Sequence, residues 1–195
     1  MKITNKICDI VNDLNNNKVV CFKTDTIWGL SANPYSEQAM NTLYKIKQRD
    51  KTKPFIFLIK QDENINNFVG EISKKEKQVL NKVWPGPVSV IFKLNTKSQL
   101  LNYYDNIKTI ALRMPKNKTC QSLLKLLNYP LPSTSVNKEG EEPINNFEDI
   151  KKFLQNEDIT ILKSSTKSTK KSASTLITIN GEDIVIIRGN KLKKI

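Results

Sequence analysis

The sequence predicts an α/β protein with a twisted, mixed β-sheet and flanking helices, folded as one domain over residues 1–195. Three observations carry this. Short apolar runs alternate with longer segments of helical periodicity, helix-start signals stand where that periodicity begins, and no repeat or linker divides the chain. A chain of 195 residues can bury a substantial core.

The elements follow in order. Residues 3–14 hold apolar side chains at helical spacing and read as a first helix. Residues 19–22 form a short apolar strand. Residues 37–48 read as a helix capped by Ser36, with Ala39, Met40, Leu43, Tyr44 and Ile46 on its apolar face. A buried strand is expected at 55–59. Ser73 and Glu76 make a capping box for a helix that runs to Val83 and stops at Pro85-Gly86-Pro87. Strands at 88–94 and 109–113, a helix at 118–127, a strand at 131–133 and a helix at 147–154 come next. Strands at 159–162, 175–179 and 184–188 complete the sheet, the last two joined by a hairpin around Asn180-Gly181.

Composition excludes whole classes of chemistry. The chain has no histidine, so it holds no Ser-His-Asp triad, no Cys-His pair and no His-ligated zinc. Its three cysteines, Cys8, Cys21 and Cys120, are far apart and read as reduced, buried small hydrophobes. No apolar run approaches the roughly 20 residues of a membrane span, and the N-terminus has no signal-peptide pattern. A cytoplasmic protein is expected.

The net charge of +13 favours polyanions such as nucleotides or RNA, although a Lys- and Asn-rich composition accounts for part of it. Only three of 32 basic residues are arginine: Arg49, Arg113 and Arg188. Arginine's planar fork grips carboxylate or phosphate through two parallel bonds, which lysine cannot do. The three positions are therefore candidate anion contacts; structural ion pairs are the other reading.

No glycine-rich phosphate loop is present, so side chains and helix ends must hold any nucleotide. Three segments are rich in suitable groups. Lys23-Thr24-Asp25-Thr26-Ile27-Trp28-Gly29-Leu30 follows a strand, where α/β proteins place ligands. Lys47-Gln48-Arg49-Asp50-Lys51-Thr52-Lys53-Pro54 closes a helix with four cations, which could suit the helix dipole or wrap a triphosphate. Ser133-Thr134-Ser135-Val136-Asn137 offers donors and acceptors for a ribose or phosphate. Each could equally be a hydrogen-bonded turn. Residues 163–174 are basic and hydroxyl-rich, and read both as a solvated loop and as a phosphate-facing lid.

Taken together and in this order, the segments resemble the YrdC/TsaC family of threonylcarbamoyl-AMP synthases. The family's P-T-D-T-x-Y-G-L stands here at residues 23–30, and its K-x-R-x-x-x-K-P at Lys47, Arg49, Lys53 and Pro54. W-P-G-P is Trp84-Pro85-Gly86-Pro87, R-x-P is Arg113-Met114-Pro115, and S-T-S-A-N is residues 133–137, followed by Gly140 and Pro143. A late Ser174-Thr175 pair and Arg188-Gly189 complete a likeness over about residues 15 to 190. Departures are Lys23 for proline, Trp28 for tyrosine, Asn180 in place of an earlier aspartate, and a glycine-free 163–173 loop.

The resemblance implies a YrdC-like fold with a concave basic groove, in the short single-domain form. It implies L-threonine, bicarbonate and ATP with Mg²⁺ as substrates and cofactor. The products would be threonylcarbamoyl-adenylate and pyrophosphate, used by a separate threonylcarbamoyl transferase complex to modify tRNA adenosine 37. On this reading Lys47, Arg49 and Lys53 meet the phosphates as catalytic groups. Ser133, Ser135, Asn137 and Arg188 join them in holding ATP. Thr24, Arg113 and Ser174 hold threonine, with Arg113 on its carboxylate; Asp25 is a weaker candidate beside them, with a structural role as its other reading. No protein side chain is assigned to metal. Two other readings stand beside it: a non-catalytic RNA-binding or ribosome-maturation module using the same groove, and a carbamoyl-adenylating domain of the hydrogenase-maturation type.

Overall fold

The structure, a computed structural model, describes residues 1–95, 97–98, 100, 107–164, 172–190 and 192. Its strands are β1 (Lys2–Thr4), β2 (Val19–Lys23), β3 (Trp28–Ser31), β4 (Ile56–Leu58), β5 (Val88–Lys93), β6 (Thr109–Arg113), β7 (Leu131–Ser135), β8 (Ile159–Leu162), β9 (Thr175–Asn180) and β10 (Asp183–Arg188). Its helices are α1 (Ile7–Asn15), α2 (Glu37–Lys47), α3 (Lys74–Val83), α4 (Lys118–Leu127) and α5 (Phe147–Leu154). The strands form one mixed sheet in the order β1-β8-β2-β3-β7-β4-β6-β5-β9-β10. Pairs β1/β8, β2/β8, β4/β6 and β5/β9 are parallel; the other neighbours run antiparallel.

Strand β2 explains why its sequence is apolar without alternation. Successive side chains point to opposite faces of a sheet. Val19 and Cys21 enter one core with Met40, Leu43 and Tyr44 of α2 and Ile150 and Leu154 of α5. Val20 and Phe22 enter a second core with Ile10 and Leu14 of α1 and Leu123 and Leu124 of α4. Helices cover both faces here, so Val19 to Phe22 are all buried and only Lys23 at the strand's end is partly exposed.

Helix starts match the sequence signals. The Ser36 hydroxyl accepts the Ala39 N–H, and Ser73 and Glu76 form the reciprocal capping box, each such cap contributing about 0.5–2 kcal/mol. Three expectations are corrected. Residues 2–4 are a strand beside β8, although Ile3, Ile7 and Ile10 keep helical spacing; the parallel register of Lys2–Thr4 with β8 wins over that local pattern. Residues 28–31 are a strand, antiparallel to β2, rather than part of a loop. Cys8 is exposed; only Cys21 and Cys120 are buried.

Among the described residues no helix is long and apolar enough to cross a membrane. Of the lysine- and serine-rich stretch 163–174, residues 165–171 lie outside the described residues.

Candidate active site

A cleft of about 900 Å³ opens on one face of the sheet. Its lining takes alternate residues from two neighbouring strands, Ile56 and Leu58 of β4 and Thr109, Ala111 and Arg113 of β6, together with Ser133, Thr134 and Ser135 at the end of β7. Period-two alternation puts the β4 and β6 residues on the same side, so the sheet face itself is the floor. All ten residues singled out in the sequence reach this lining: Thr24, Lys47, Arg49, Lys53, Arg113, Ser133, Ser135, Asn137, Ser174 and Arg188.

Thr24 and Thr26 belong to the β2–β3 turn. Thr24 Oγ1 donates to the Ile27 carbonyl at 2.8 Å and lies 3.0 Å from Thr26 Oγ1. Both side chains are buried. This hydrogen-bonded connection stands in for the glycine signals that usually mark a hairpin, which is why β3 escaped the sequence reading.

Arg113 ends β6 and is only 4% exposed. Its guanidinium is held from three sides. Nε donates to the Gly86 carbonyl at 3.2 Å, one terminal nitrogen donates to Thr26 Oγ1 at 3.0 Å, and the other pairs with Asp25. Arginine has five N–H groups, so one on each terminal nitrogen is unclaimed among the described residues. Asp25 stands outside the lining and acts through Arg113.

The 84–87 turn supplies one of these supports. Gly86 N–H donates to the Met114 carbonyl at 2.8 Å, locking the turn to the end of β6. A Cβ on Gly86 would lie 2.5 Å from the Val83 carbonyl oxygen, so no other residue fits without backbone movement. Gly86→Ala is expected to destabilise the protein by about 1–3 kcal/mol, as overpacking does, read as a lower urea midpoint. An unchanged midpoint would mean that the turn yields freely.

Lys47, the last residue of α2, is 2% exposed. Its Nζ donates to the Ser135 carbonyl at 2.9 Å and to both the carbonyl and Oδ1 of Asn137 at 2.6 Å. Its three N–H groups are thus committed to the end of β7 and the loop that follows it. Burial, then the nearby Arg49, pushes its pKa down to about 8. Asn137 is the hub of that loop. Its Oδ1 also accepts the Ser135 hydroxyl at 2.6 Å, and its amide donates to the Lys138 and Glu141 carbonyls.

Arg49 is clamped differently. Its Nε donates to the Lys53 carbonyl at 3.1 Å, one terminal nitrogen donates to the Pro54 carbonyl at 3.3 Å, and the group stacks over Phe55 at 5.4 Å. Glu139 joins this corner, 3.1 Å from Lys53 Nζ and 3.6 Å from Arg49. The Lys53 hydrogen bond leads in holding the Glu139 carboxyl below its ordinary pKa. On the far wall Arg188 donates to the Ser174 carbonyl at 3.2 Å, and the Ser174 hydroxyl lies 2.8 Å from that of Ser89.

Glu139, Glu141 and Glu142 also line the cleft, so its charge is mixed: five cationic side chains face three carboxylates. Sequence reasoning missed Glu139, Thr26 and Ser89. Three acids within residues 139–142, in so basic a chain, were the available signal for the first.

A layered α/β domain with a charge-lined cleft of this size over its sheet has the form of a small-molecule binding site. The chain belongs to the Sua5/yciO/yrdC family, described as telomere recombination, which matches residues 12–189. It is 28% identical over 149 residues to a protein of Yersinia enterocolitica named threonylcarbamoyl-AMP synthase, covering 74% of this chain and 77% of that one. A Yersinia pestis protein of the same name matches to the same extent. Escherichia coli YciO has the same fold, with a TM-score of 0.79 at 22% identity over 96% of this chain and 92% of that one. So does P. abyssi Sua5, solved in complex with L-threonine, with a TM-score of 0.80 at 23% identity over 93% of this chain. This chain spans 53% of that Sua5 chain, about half its length.

Proposed function

We propose that this chain is a threonylcarbamoyl-AMP synthase, a nucleotidyltransferase that forms threonylcarbamoyl-adenylate and pyrophosphate from L-threonine, bicarbonate and ATP. The observation that carries this is convergence: ten residues, read from motifs spread between positions 24 and 188, line one cleft. The names of the curated relatives support the same reading.

The chemistry asks little of acid–base side chains. Threonine's amine attacks bicarbonate carbon, water leaves, and a carbamate results. A carbamate oxygen then bonds the α-phosphorus of ATP while the bond to the β-phosphate oxygen breaks and pyrophosphate departs. Catalysis is then proximity together with fixed positive charge where phosphate charge builds. Arg49 and Lys53 serve the phosphates. Lys47 adds its charge from the wall and holds the Ser135–Asn137 loop in place; touching phosphate directly would require it to exchange one of its three bonds. Ser133, Ser135, Asn137 and Arg188 hold the nucleotide. Thr24, Ser174 and Arg113 hold threonine, the two unclaimed N–H groups of Arg113 suiting a carboxylate.

Among the described residues no group of three or more acidic, cysteine or histidine side chains is placed to hold a metal ion. Mg²⁺ is assigned to the triphosphate, whose oxygens and water supply most of its ligands. The product is assigned to a separate transferase that modifies tRNA, in the cytoplasm.

Pyrophosphate release is expected to require all three substrates, measured by omitting each in turn. Release that ignores threonine would overturn the assignment. ATP binding without release would shift the reading to a non-catalytic RNA-binding module.

A further inference from the structure

We infer that Glu139 is an internal competitor for the polyphosphate subsite: its carboxylate occupies Arg49 and Lys53 in the free protein, yields to ATP, and returns as pyrophosphate leaves. The inference rests on the synthase reading and extends it to product release.

The geometry makes Glu139 a stand-in for a phosphate oxygen. Oε1 lies 3.1 Å from Lys53 Nζ and 3.6 Å from Arg49, bridging the two cations. Among the described residues it is the only carboxylate within ion-pair distance of either. Arg49 is fixed without it. Carbonyls of Lys53 and Pro54 hold the Arg49 fork, and Phe55 lies beneath it, so Arg49 stays in place when the carboxylate departs.

Glu139 itself is anchored at the backbone and looser at the tip. Its N–H donates to the Lys47 carbonyl at 2.8 Å, whereas its Oε2 accepts only a long 3.4 Å bond from the Asp50 N–H. Its side chain is 28% exposed and that of Lys53 is 57% exposed. A half-exposed pair of this kind is held weakly and exchanges readily. A triphosphate brings three or more negative charges against one, and phosphate oxygens match the arginine fork. A polyphosphate therefore displaces the carboxylate. Once the α–β bond is broken, the same carboxylate lowers the hold on pyrophosphate, so its return assists release.

The role separates ligands. Pyrophosphate and ATP compete with Glu139, because both place phosphates at Arg49 and Lys53. AMP does not, because its single phosphate lies by the loop after β7.

The test is calorimetric titration of the full chain with ATP, pyrophosphate and AMP at low ionic strength. Glu139→Gln and Glu139→Ala are each expected to bind pyrophosphate and ATP roughly 2- to 10-fold more tightly, with AMP affinity unchanged. Inhibition of turnover by pyrophosphate is expected to strengthen by the same factor. Glu142→Gln removes an equal charge from the same cleft without breaking a described ion pair, and is expected to shift affinities by less than about 2-fold. A purely structural Glu139 would give the opposite sign, with all three ligands weakened in its variants. Equal affinities in wild type and variants, or that general weakening, overturn the inference while leaving the synthase reading standing. Failure of the wild type to bind either ATP or pyrophosphate overturns both.

Discussion

Arg113→Lys is expected to lower threonine-dependent turnover by roughly 10- to 1000-fold, with the loss falling on the KM for threonine rather than on ATP affinity. The side chain is buried, and three neighbours aim it. Removing a partner from a buried charge pair costs about 3–5 kcal/mol, and lysine, which keeps the charge, forfeits a good part of that rather than all of it. An ammonium at this position can satisfy Asp25 or Thr26 and the Gly86 carbonyl, but it has three donors for a task that uses three before any ligand arrives. Nothing is left for a substrate carboxylate. Lys51→Ala is the matched comparison. Lys51 lies in the same basic run, yet its Nζ donates to Asn41 on the surface and it does not line the cleft. Its loss is expected to change turnover by less than about 2-fold. Steady-state kinetics with circular dichroism as the folding check decide the matter. Near-normal turnover in Arg113→Lys, or a loss confined to ATP, would remove Arg113 from the threonine carboxylate.

Most of this site was legible because its parts come from short segments whose residue types leave few alternatives. Arg113 and Arg49 stood out as arginines in a lysine-rich chain, and both prove to be clamped through their forks. Asn137 and Lys47 lie 90 positions apart, and no local pattern shows that the Lys47 ammonium bonds both the carbonyl and the side chain of Asn137. The errors have the same origin. β1 exists because β8, more than 150 residues later, offers it a parallel partner, a fact that helical spacing near the N-terminus cannot contain. Glu139 drew no notice in the sequence, because only the fold puts it across Arg49 and Lys53. Helix ends were easier because caps are local: Ser36, Ser73, Asn117 and Asn146 each bond an amide two or three residues on.

Lys47→Met is expected to cut ATP-dependent turnover by roughly 30- to 1000-fold, the range for truncating a buried, hydrogen-bonded charge. Methionine preserves the stem and removes the three donors, so the Ser135 and Asn137 carbonyls and Asn137 Oδ1 lose their shared partner. The pH dependence separates a role in binding from one in folding, because the two run in opposite directions. The folded pKa of about 8 lies below the ordinary 10.5. Below pH 8 the group is charged in both folded and unfolded chains, and its burial costs stability. Between about 8 and 10.5 the folded chain gives up the proton while the unfolded chain keeps it, so the unfolded state binds more protons and stability from this group rises with pH. The stability gap between wild type and Lys47→Met is therefore expected to widen across that window in urea titrations. ATP affinity of the wild type is expected to fall across the same window, since the lost proton is the positive charge that faces the phosphates. Calorimetry near pH 8 would then show proton uptake on ATP binding that disappears in Lys47→Met. A stability gap that stays flat from pH 8 to 10.5 would mean that the three acceptors hold the ammonium charged throughout. ATP affinity that also stayed flat would leave Lys47 as a strut for the loop, with no part in attracting the nucleotide.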